Sequence, residues 1–279
     1  MVEAPINYLA AMDEKPVYFM DPPPGVPEEN MSYDKFTVSI HDARRLAPPP
    51  SLEREGFEVV THQTAVTDLY DVGAIRETYY PEMEQLVKQV TGAHRVVIFD
   101  FNIRISTVEG TEGGTPKKES DDDTGFDPEQ AQPPVRCAHN DYTDLSGPQR
   151  VRDLMGKHEA EKLLQRRFAI INVWKPIRGP VQQVPLAVCD ARSIAPGDLV
   201  ETDLVYPDRT GEISLLSFKP AQRWFYIPEM RADEAMLLKC YDSEHDRPRF
   251  TAHSAFDDPT SDPDAPPRES IEVRTLAFF

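Results

Sequence analysis

The sequence predicts a mainly β protein with flanking helices, built around a double-stranded β-helix of the jelly-roll or cupin type. After residue 168, apolar stretches of strand length follow one another with little helix between them. The chain holds 27 Pro but only 13 Gly, which favours many short elements joined by stiff turns. Regularly spaced short strands separated by turns are typical of a double sheet of this kind.

The N-terminal part combines an irregular segment with the first regular elements. Residues 1–35 are rich in Pro and predict an arm that extends over the surface. Phe36–Ile40 and Gly56–Thr61 alternate between apolar and polar residues and predict two strands. Ile75–Val90 repeats apolar residues at helical spacing, and the apolar Arg95–Phe101 predicts a buried strand.

Residues 107–134 are polar and strongly charged, and they show no hydrophobic period. We interpret them as a mobile acidic insertion within a single domain spanning residues 1–279, because the motifs on both sides belong together. A lid over an active site and an ordinary solvated loop fit this segment equally well.

The second half begins with a helix and continues with strands. Ser146–Arg167 predicts a helix, with Ser146 as N-cap and Pro148 in its first turn. The strand candidates are Phe168–Trp174, Val184–Cys189, Leu199–Tyr206, Ile213–Phe218, Trp224–Ile227, Ala235–Tyr241, Thr251–Phe256 and Ile271–Phe278.

Composition excludes several classes of protein. A net charge of -18 argues against a general nucleic-acid binder, which needs cationic surface to neutralise phosphate. Three widely spaced Cys without a CxxC pair indicate a reduced, cytoplasmic protein. No apolar run approaches the roughly 20 residues that span a bilayer, so no membrane segment is expected. The oligomeric state is left open: the Pro-rich arm could pack on a homodimer partner or on its own barrel.

A split pattern of metal-ligand residues lies in the second half. Residues two apart on a strand share a face, so His139 and Asp141 can reach one metal ion. Among the other His residues, His253 lies in an apolar, strand-like stretch, where a hydrogen-bonded core His is the alternative to a ligand. Two imidazoles and one carboxylate on one face of an ion are typical of non-haem Fe(II) oxygenases, which keep positions open for O₂ and a cosubstrate.

The nature of the cosubstrate is indicated by Arg268-x-Ser270. A guanidinium fork pairs with a carboxylate through two parallel hydrogen bonds, and the hydroxyl can add a third. This favours 2-oxoglutarate, which would chelate iron at one end and present its distal carboxylate to Arg268. Arg274 shares this strand face by period and is the rival cation.

Four further residues are candidates for contacts with the substrate. Asn102 and Arg104 follow a predicted strand, Tyr142 lies beside the metal-ligand motif, and Trp174 ends another strand. A surface salt bridge explains Arg104 equally well, and core packing is the simpler explanation for Trp174.

Longer segments of the chain carry a family resemblance. They include His139-Asn140-Asp141-Tyr142-Thr143, Asn172-Val173-Trp174-Lys175-Pro176, Lys239-Cys240-Tyr241-Asp242-Ser243, His253-Ser254-Ala255-Phe256-Asp257-Asp258-Pro259 and Pro267-Arg268-Glu269-Ser270-Ile271-Glu272-Val273-Arg274. In these segments the chain resembles the fungal and bacterial secondary-metabolite oxygenases grouped with CmcJ, the hydroxylase/desaturase AsaB and the gibberellin desaturase.

The resemblance implies an Fe(II)/2-oxoglutarate-dependent oxygenase on a double-stranded β-helix. It maps the iron ligands onto His139, Asp141 and His253, and 2-oxoglutarate binding onto Arg268 with Ser270. It further implies oxidation of a C–H bond in a small natural-product scaffold, by hydroxylation, desaturation or oxidative ring formation, with release of succinate and CO₂.

Two other functional classes remain as alternatives. A cupin-like binding protein could keep the fold without turnover, although all three ligands and the Arg are present. A methyltransferase-type tailoring enzyme is disfavoured, because no Gly-rich strand–loop–helix start for a nucleotide cofactor is present. Neither the substrate nor the type of oxidation can be read from the sequence.

Overall fold

A computed structural model describes residues 1–107 and 131–279 and confirms the predicted mainly β jelly-roll class. The strands form a nine-stranded sheet in the order β1-β3-β11-β8-β13-β6-β10-β9-β2 and a five-stranded sheet in the order β4-β12-β7-β14-β5. Their bounds are β1 Val2–Leu9, β2 Val17–Phe19, β3 Tyr33–Asp42, β4 Phe57–Thr61, β5 Arg95–Ile105, β6 His139–Asn140, β7 Phe168–Pro176, β8 Leu186–Cys189, β9 Leu199–Val205, β10 Thr210–Leu216, β11 Trp224–Tyr226, β12 Glu234–Asp242, β13 His253–Ala255 and β14 Glu269–Phe278.

The core lies between the two sheets. Ile170 and Trp174 of β7 belong to one buried cluster with Leu186 and Val188 of β8, which lies in the other sheet. Successive residues of a strand face opposite sides, so every second residue of β7 and β14 points into this interior. The functional side chains of β14 therefore share the inner face at alternate positions.

The outer face of the smaller sheet is covered by a helix. A short turn α1 (Val72–Ala74) and a π-helical turn (Ile75–Tyr79) lead into α2 (Tyr80–Thr91), which confirms the predicted helix. Met83 and Val87 of α2 lie in a second apolar cluster with Ile171 and Val173 of β7. The helix thereby covers the side of the sheet that faces away from the interior between the two sheets.

The prediction of an irregular surface arm over residues 1–35 is wrong for its first part. Val2–Leu9 forms β1, which pairs antiparallel with β3, and Ala4, Ile6 and Tyr8 are buried. The alternation of apolar and polar residues here is a strand signal that Pro5 obscured. Pro is tolerated because β1 is an edge strand, where a missing N–H leaves no inner ladder bond unmade.

The predicted helix over Ser146–Arg167 is divided in two. α3 spans Ser146–Leu154 and α4 spans Lys157–Leu163, with Gly156 between them as the N-cap of α4. The Thr143 hydroxyl, not that of Ser146, accepts the backbone N–H at the start of α3. Of the predicted insertion 107–134, residues 108–130 lie outside the described residues. Among the described helices, none is long and apolar enough to cross a membrane.

Candidate active site

A cleft between the two sheets gathers most of the predicted site residues. The space between its walls is ≈ 450 Å³, a figure that includes the part open to solvent. Its lining consists of Asn102, Arg104, Val135, His139, Asp141, Trp174, Leu186, His253, Ala255, Arg268, Ser270, Glu272 and Arg274. The upper part is thus formed by β6 and β13, and the floor by the inner face of β14 with β5 and β7 on either side.

The two imidazoles are brought together by sheet register. His139 on β6 and His253 on β13 are direct partners in an antiparallel pair, and their ring centroids lie 4.3 Å apart. Asp141 follows β6 directly. The candidate ligand atoms of these three residues all lie within 4.8 Å of one another. More than a hundred residues of chain separate the two His, so tertiary pairing creates this cluster.

Backbone carbonyls fix the orientation of both imidazoles. His139 Nδ1 lies 2.9 Å from the Cys137 carbonyl oxygen, and His253 Nδ1 lies 3.2 Å from that of Thr251. Because a carbonyl oxygen only accepts, each Nδ1 carries a hydrogen, and in its neutral form each ring would offer the Nε2 lone pair to a metal. Both Nε2 atoms face Asp141 Oδ1, that of His139 at 3.5 Å and that of His253 at 3.9 Å.

Charge distribution in the cluster suits a divalent cation. Although burial opposes ionisation, Arg274 and the two His hold the pKa of Asp141 well below its usual range. Burial and the neighbouring His139 lower the pKa of His253 to about 4, so this ring is neutral. Burial is outweighed at His139, where hydrogen bonds with Asp141 and the Cys137 carbonyl raise the pKa to about 10. A cation bound by all three groups would take the place of that proton.

The second oxygen of Asp141 is held from the floor of the cleft. Asn172 on β7 donates its amide to Asp141 Oδ2 at 2.7 Å, and Arg274 Nε lies 3.6 Å from the same oxygen. Arg274 is also paired with Asp100 at 2.8 Å and with Glu272 at 3.5 Å. Sequence reasoning missed Asn172, although an Asn within a continuous apolar strand signals a buried amide that needs a partner.

Arg268 and Ser270 present polar atoms to the cleft that are not hydrogen-bonded within the described chain. Both residues are buried, at 2% and 1% exposure. Arg268 Nη1 donates to the Val184 carbonyl at 2.8 Å, but Arg268 Nε and Ser270 Oγ have no protein partner among the described residues. Burial, together with Arg104 and Arg136, lowers the pKa of Arg268 to about 9. Such donors are expected to receive a buried anion.

Three of the four substrate-contact candidates line the cleft. Arg104 donates through Nη1 to the Pro133 carbonyl at 2.7 Å, and Asn102 Oδ1 is buried without a partner among the described residues. The Trp174 ring lies 5.6 Å from the Arg268 guanidinium carbon. Arg104 and Asn102 are cross-strand partners of Ser270 and Glu272 respectively, which places them on the same inner face.

Tyr142, the fourth candidate, is not among the residues that line the cleft, and its contact with the substrate stays a prediction. Its side chain is buried in the core cluster and meets the Phe99 ring edge-on, with ring centroids 6.5 Å apart. The lining also includes Glu272, Val135, Leu186 and Ala255, which sequence reasoning had not selected. Glu272 was recognisable, since it shares the strand period of Ser270 and Arg274.

The fold and the cluster together define a class of protein. Two imidazoles and one carboxylate converge inside a curled double sheet and leave the remaining side open to a cleft, which is the facial-triad arrangement of non-haem iron oxygenases. Nitrogen and carboxylate ligands of this kind fit Fe(II). Arg268 Nε and Ser270 Oγ, which have no hydrogen-bond partner among the described residues, fit the carboxylate of a cosubstrate.

Comparisons with known proteins agree with this class. Residues 6–278 match the family model described as an oxidoreductase/YMDC permease-like domain. The chain is 35% identical to the Fe(II)/2-oxoglutarate-dependent dioxygenase nvfI of Aspergillus novofumigatus over 96% of this chain and 92% of that protein. It is 31% identical to the hydroxylase/desaturase efuI of Hormonema carpetanum, over 89% of this chain and 85% of that protein.

A solved structure is similar over nearly the whole length. The iron and alpha-ketoglutarate-dependent endoperoxidase NvfI superposes with a TM-score of 0.84 at 33% identity, covering 99% of this chain and 97% of that one. The chain therefore belongs to the family of Fe(II)/2-oxoglutarate-dependent oxygenases that contains these proteins, and the predicted resemblance is confirmed.

Proposed function

We propose that this protein is an Fe(II)/2-oxoglutarate-dependent oxygenase that oxidises a C–H bond of a small natural-product scaffold and releases succinate and CO₂. One observation carries the proposal: three candidate metal ligands converge in a cleft whose floor presents the buried Arg268 Nε and Ser270 Oγ, neither of which has a hydrogen-bond partner in the described ranges. The names of similar proteins, which include dioxygenases and hydroxylase/desaturases, support the same activity.

The roles of the residues follow from the geometry. His139, Asp141 and His253 would hold Fe(II) through two Nε2 atoms and Oδ1. When bound, iron and 2-oxoglutarate supply the activation of O₂ and the oxidising chemistry. The chain binds and orients: the carbonyl-bound imidazoles are held in the metal-binding tautomer.

The distal carboxylate of 2-oxoglutarate is assigned to Arg268 rather than Arg274. Arg274 already faces Asp100, Glu272 and Asp141, and these acids raise its pKa although burial opposes them. Arg268 forms no ion pair with a described carboxylate, and Ser270 beside it offers a hydroxyl without a described partner. Burying a cation without an acid partner costs free energy, so a carboxylate that binds at Arg268 recovers more free energy than one that binds at Arg274.

Asn102, Arg104 and Trp174 are proposed to contact the cosubstrate or substrate beyond the metal. They line the same cleft as Leu186 and Val135, so polar and apolar surfaces face each other across it. An apolar scaffold with a polar group at one end suits such a lining. We also propose one catalytic domain over residues 1–279, which the family match to residues 6–278 supports. The cytoplasmic location, the homodimer and the lid remain predictions.

The test is turnover with defined cofactors. Purified protein with Fe(II), 2-oxoglutarate and O₂ should form succinate, and candidate scaffolds should change mass. Gain of one oxygen atom marks hydroxylation, and loss of a hydrogen pair marks desaturation or ring closure. Because a structural relative is an endoperoxidase, gain of two oxygen atoms is a third informative result. If no iron binds and no succinate forms, a cupin-like binding protein is the better description.

A further inference from the structure

We propose that Asn172 and Arg274 are positioning residues that hold Asp141 so that it offers a single oxygen to the metal. The inference rests on the proposed function and concerns how the third ligand is kept in place. Asn172 lies more than 30 residues along the chain from Asp141, and Arg274 more than 130, so neither belongs to the ligand motif.

The two oxygens of Asp141 have separate partners. Oδ1 faces the imidazoles, at 3.5 Å from His139 Nε2 and 3.9 Å from His253 Nε2. Oδ2 faces the opposite way and accepts from the Asn172 amide at 2.7 Å, with Arg274 Nε at 3.6 Å. Each oxygen is therefore committed to one side, and the plane of the carboxylate is fixed.

The holding pair is itself rigidly placed. Asn172 and Arg274 are direct partners in the antiparallel pairing of β7 with β14, near the middle of the five-stranded sheet. Asn172 is fully buried. Arg274 is tied on its far side to Asp100 of β5 at 2.8 Å. Hydrogen-bond partners behind a metal ligand orient it best when they sit on such rigid elements.

The hydrogen bond to Asp141 Oδ2 affects how many coordination positions remain for the cosubstrate. A facial triad leaves three positions of an octahedral ion open, and a 2-oxo acid chelate with O₂ needs all three. If Oδ2 were released, Asp141 could bind with both oxygens and occupy one of those positions. The Asn172 amide, with Arg274 beside it, therefore protects the site where the cosubstrate and O₂ bind.

The test compares the metal affinity of Asn172→Leu with that of the wild type. Leu keeps the branched shape and the number of side-chain heavy atoms but removes the donor. Co(II) serves as the probe, and its visible absorption reports binding without turnover. We expect the Co(II) dissociation constant to rise about 10- to 100-fold, as is usual when a partner behind a ligand is removed. Fe(II)-loaded protein should give a weak visible absorption band when 2-oxoglutarate binds. In Asn172→Leu this band should saturate only at a higher 2-oxoglutarate concentration.

Thr275→Val is the matched control. Thr275 is the next residue on β14, is fully buried and donates to the Ile171 carbonyl at 2.8 Å, but Arg274 and not Thr275 occupies the cleft side of the strand. It should lower the melting temperature and leave Co(II) affinity unchanged. If Asn172→Leu does not fold, Asn172→Ser, which cannot overpack, should show the same weakening.

The outcomes separate this inference from the proposed function. Unchanged Co(II) affinity in a folded Asn172 variant, or an equal loss in Thr275→Val, would overturn the positioning role while the oxygenase proposal stands. A wild-type protein that binds neither Co(II) nor Fe(II) would overturn both.

Discussion

Replacement of Arg268 by Leu should weaken the binding of 2-oxoglutarate far more than it lowers the stability of the fold. Arg268 Nη1 is occupied by the Val184 carbonyl, so the Nε edge is what remains for a carboxylate. Hydrogen bonds to charged groups contribute roughly 1.5–3 kcal/mol each. Loss of one or two such bonds is worth about 3 kcal/mol, and at ~1.4 kcal/mol per factor of ten this raises the KM for 2-oxoglutarate about 100-fold.

The assay is succinate formation at varied 2-oxoglutarate with saturating Fe(II). Ser270→Ala removes one neutral donor and should raise the same KM by roughly 2- to 10-fold. Arg178→Leu is the control, because Arg178 is 75% exposed in its side chain and lies outside the cleft lining. An unchanged KM in Arg268→Leu, with unaltered Co(II) affinity, would refute the assignment of the cosubstrate carboxylate to Arg268.

Three further results are expected. His139→Ala should abolish Fe(II) binding measured by equilibrium dialysis, because it removes one of the three ligands; retained stoichiometric binding would place the metal elsewhere. Gly56→Ala should lower the unfolding free energy by more than ~1 kcal/mol, since Gly56 has a φ of +85° and an added Cβ would lie 2.2 Å from Thr251 Oγ1. Chemical denaturation measures this change, and an unfolding free energy equal to that of the wild type would contradict the prediction. Burial lowers the pKa of Lys175 from 10.5 to about 8, so between pH 8 and 10.5 the unfolded chain binds more protons than the folded one. The unfolding free energy of the wild type, relative to that of Lys175→Met, should therefore rise with pH across that window. A difference that does not change with pH would argue against this.

The metal-ligand set could be predicted because its local signals are strong. His139 and Asp141 stand two apart in a strand-like context, and His253 stands in an apolar stretch. Spacing and apolar neighbours were therefore sufficient to select these three residues as ligands. That the two His are direct strand partners could not be derived, since register between distant strands depends on the whole sheet. The sequence likewise left Arg268 and Arg274 as rivals, because strand period places both on one face.

Features outside these local signals were harder to predict. β1 was missed because Pro5 masked an alternating pattern whose position at a sheet edge is known only from topology. Asn172 was missed because a buried amide reveals its partner only in three dimensions. Tyr142 is buried and lies outside the cleft lining, because adjacency to a ligand in sequence does not by itself bring a side chain into the lining.

The most direct test of the central claim is an anaerobic titration of Fe(II)-loaded protein with 2-oxoglutarate, followed by visible absorption. The wild type should develop a weak charge-transfer band that saturates with one 2-oxoglutarate per bound iron, and His139→Ala should show none. A wild-type protein that binds iron but develops no band with 2-oxoglutarate would contradict the claim that this cleft brings the metal and a 2-oxo acid together.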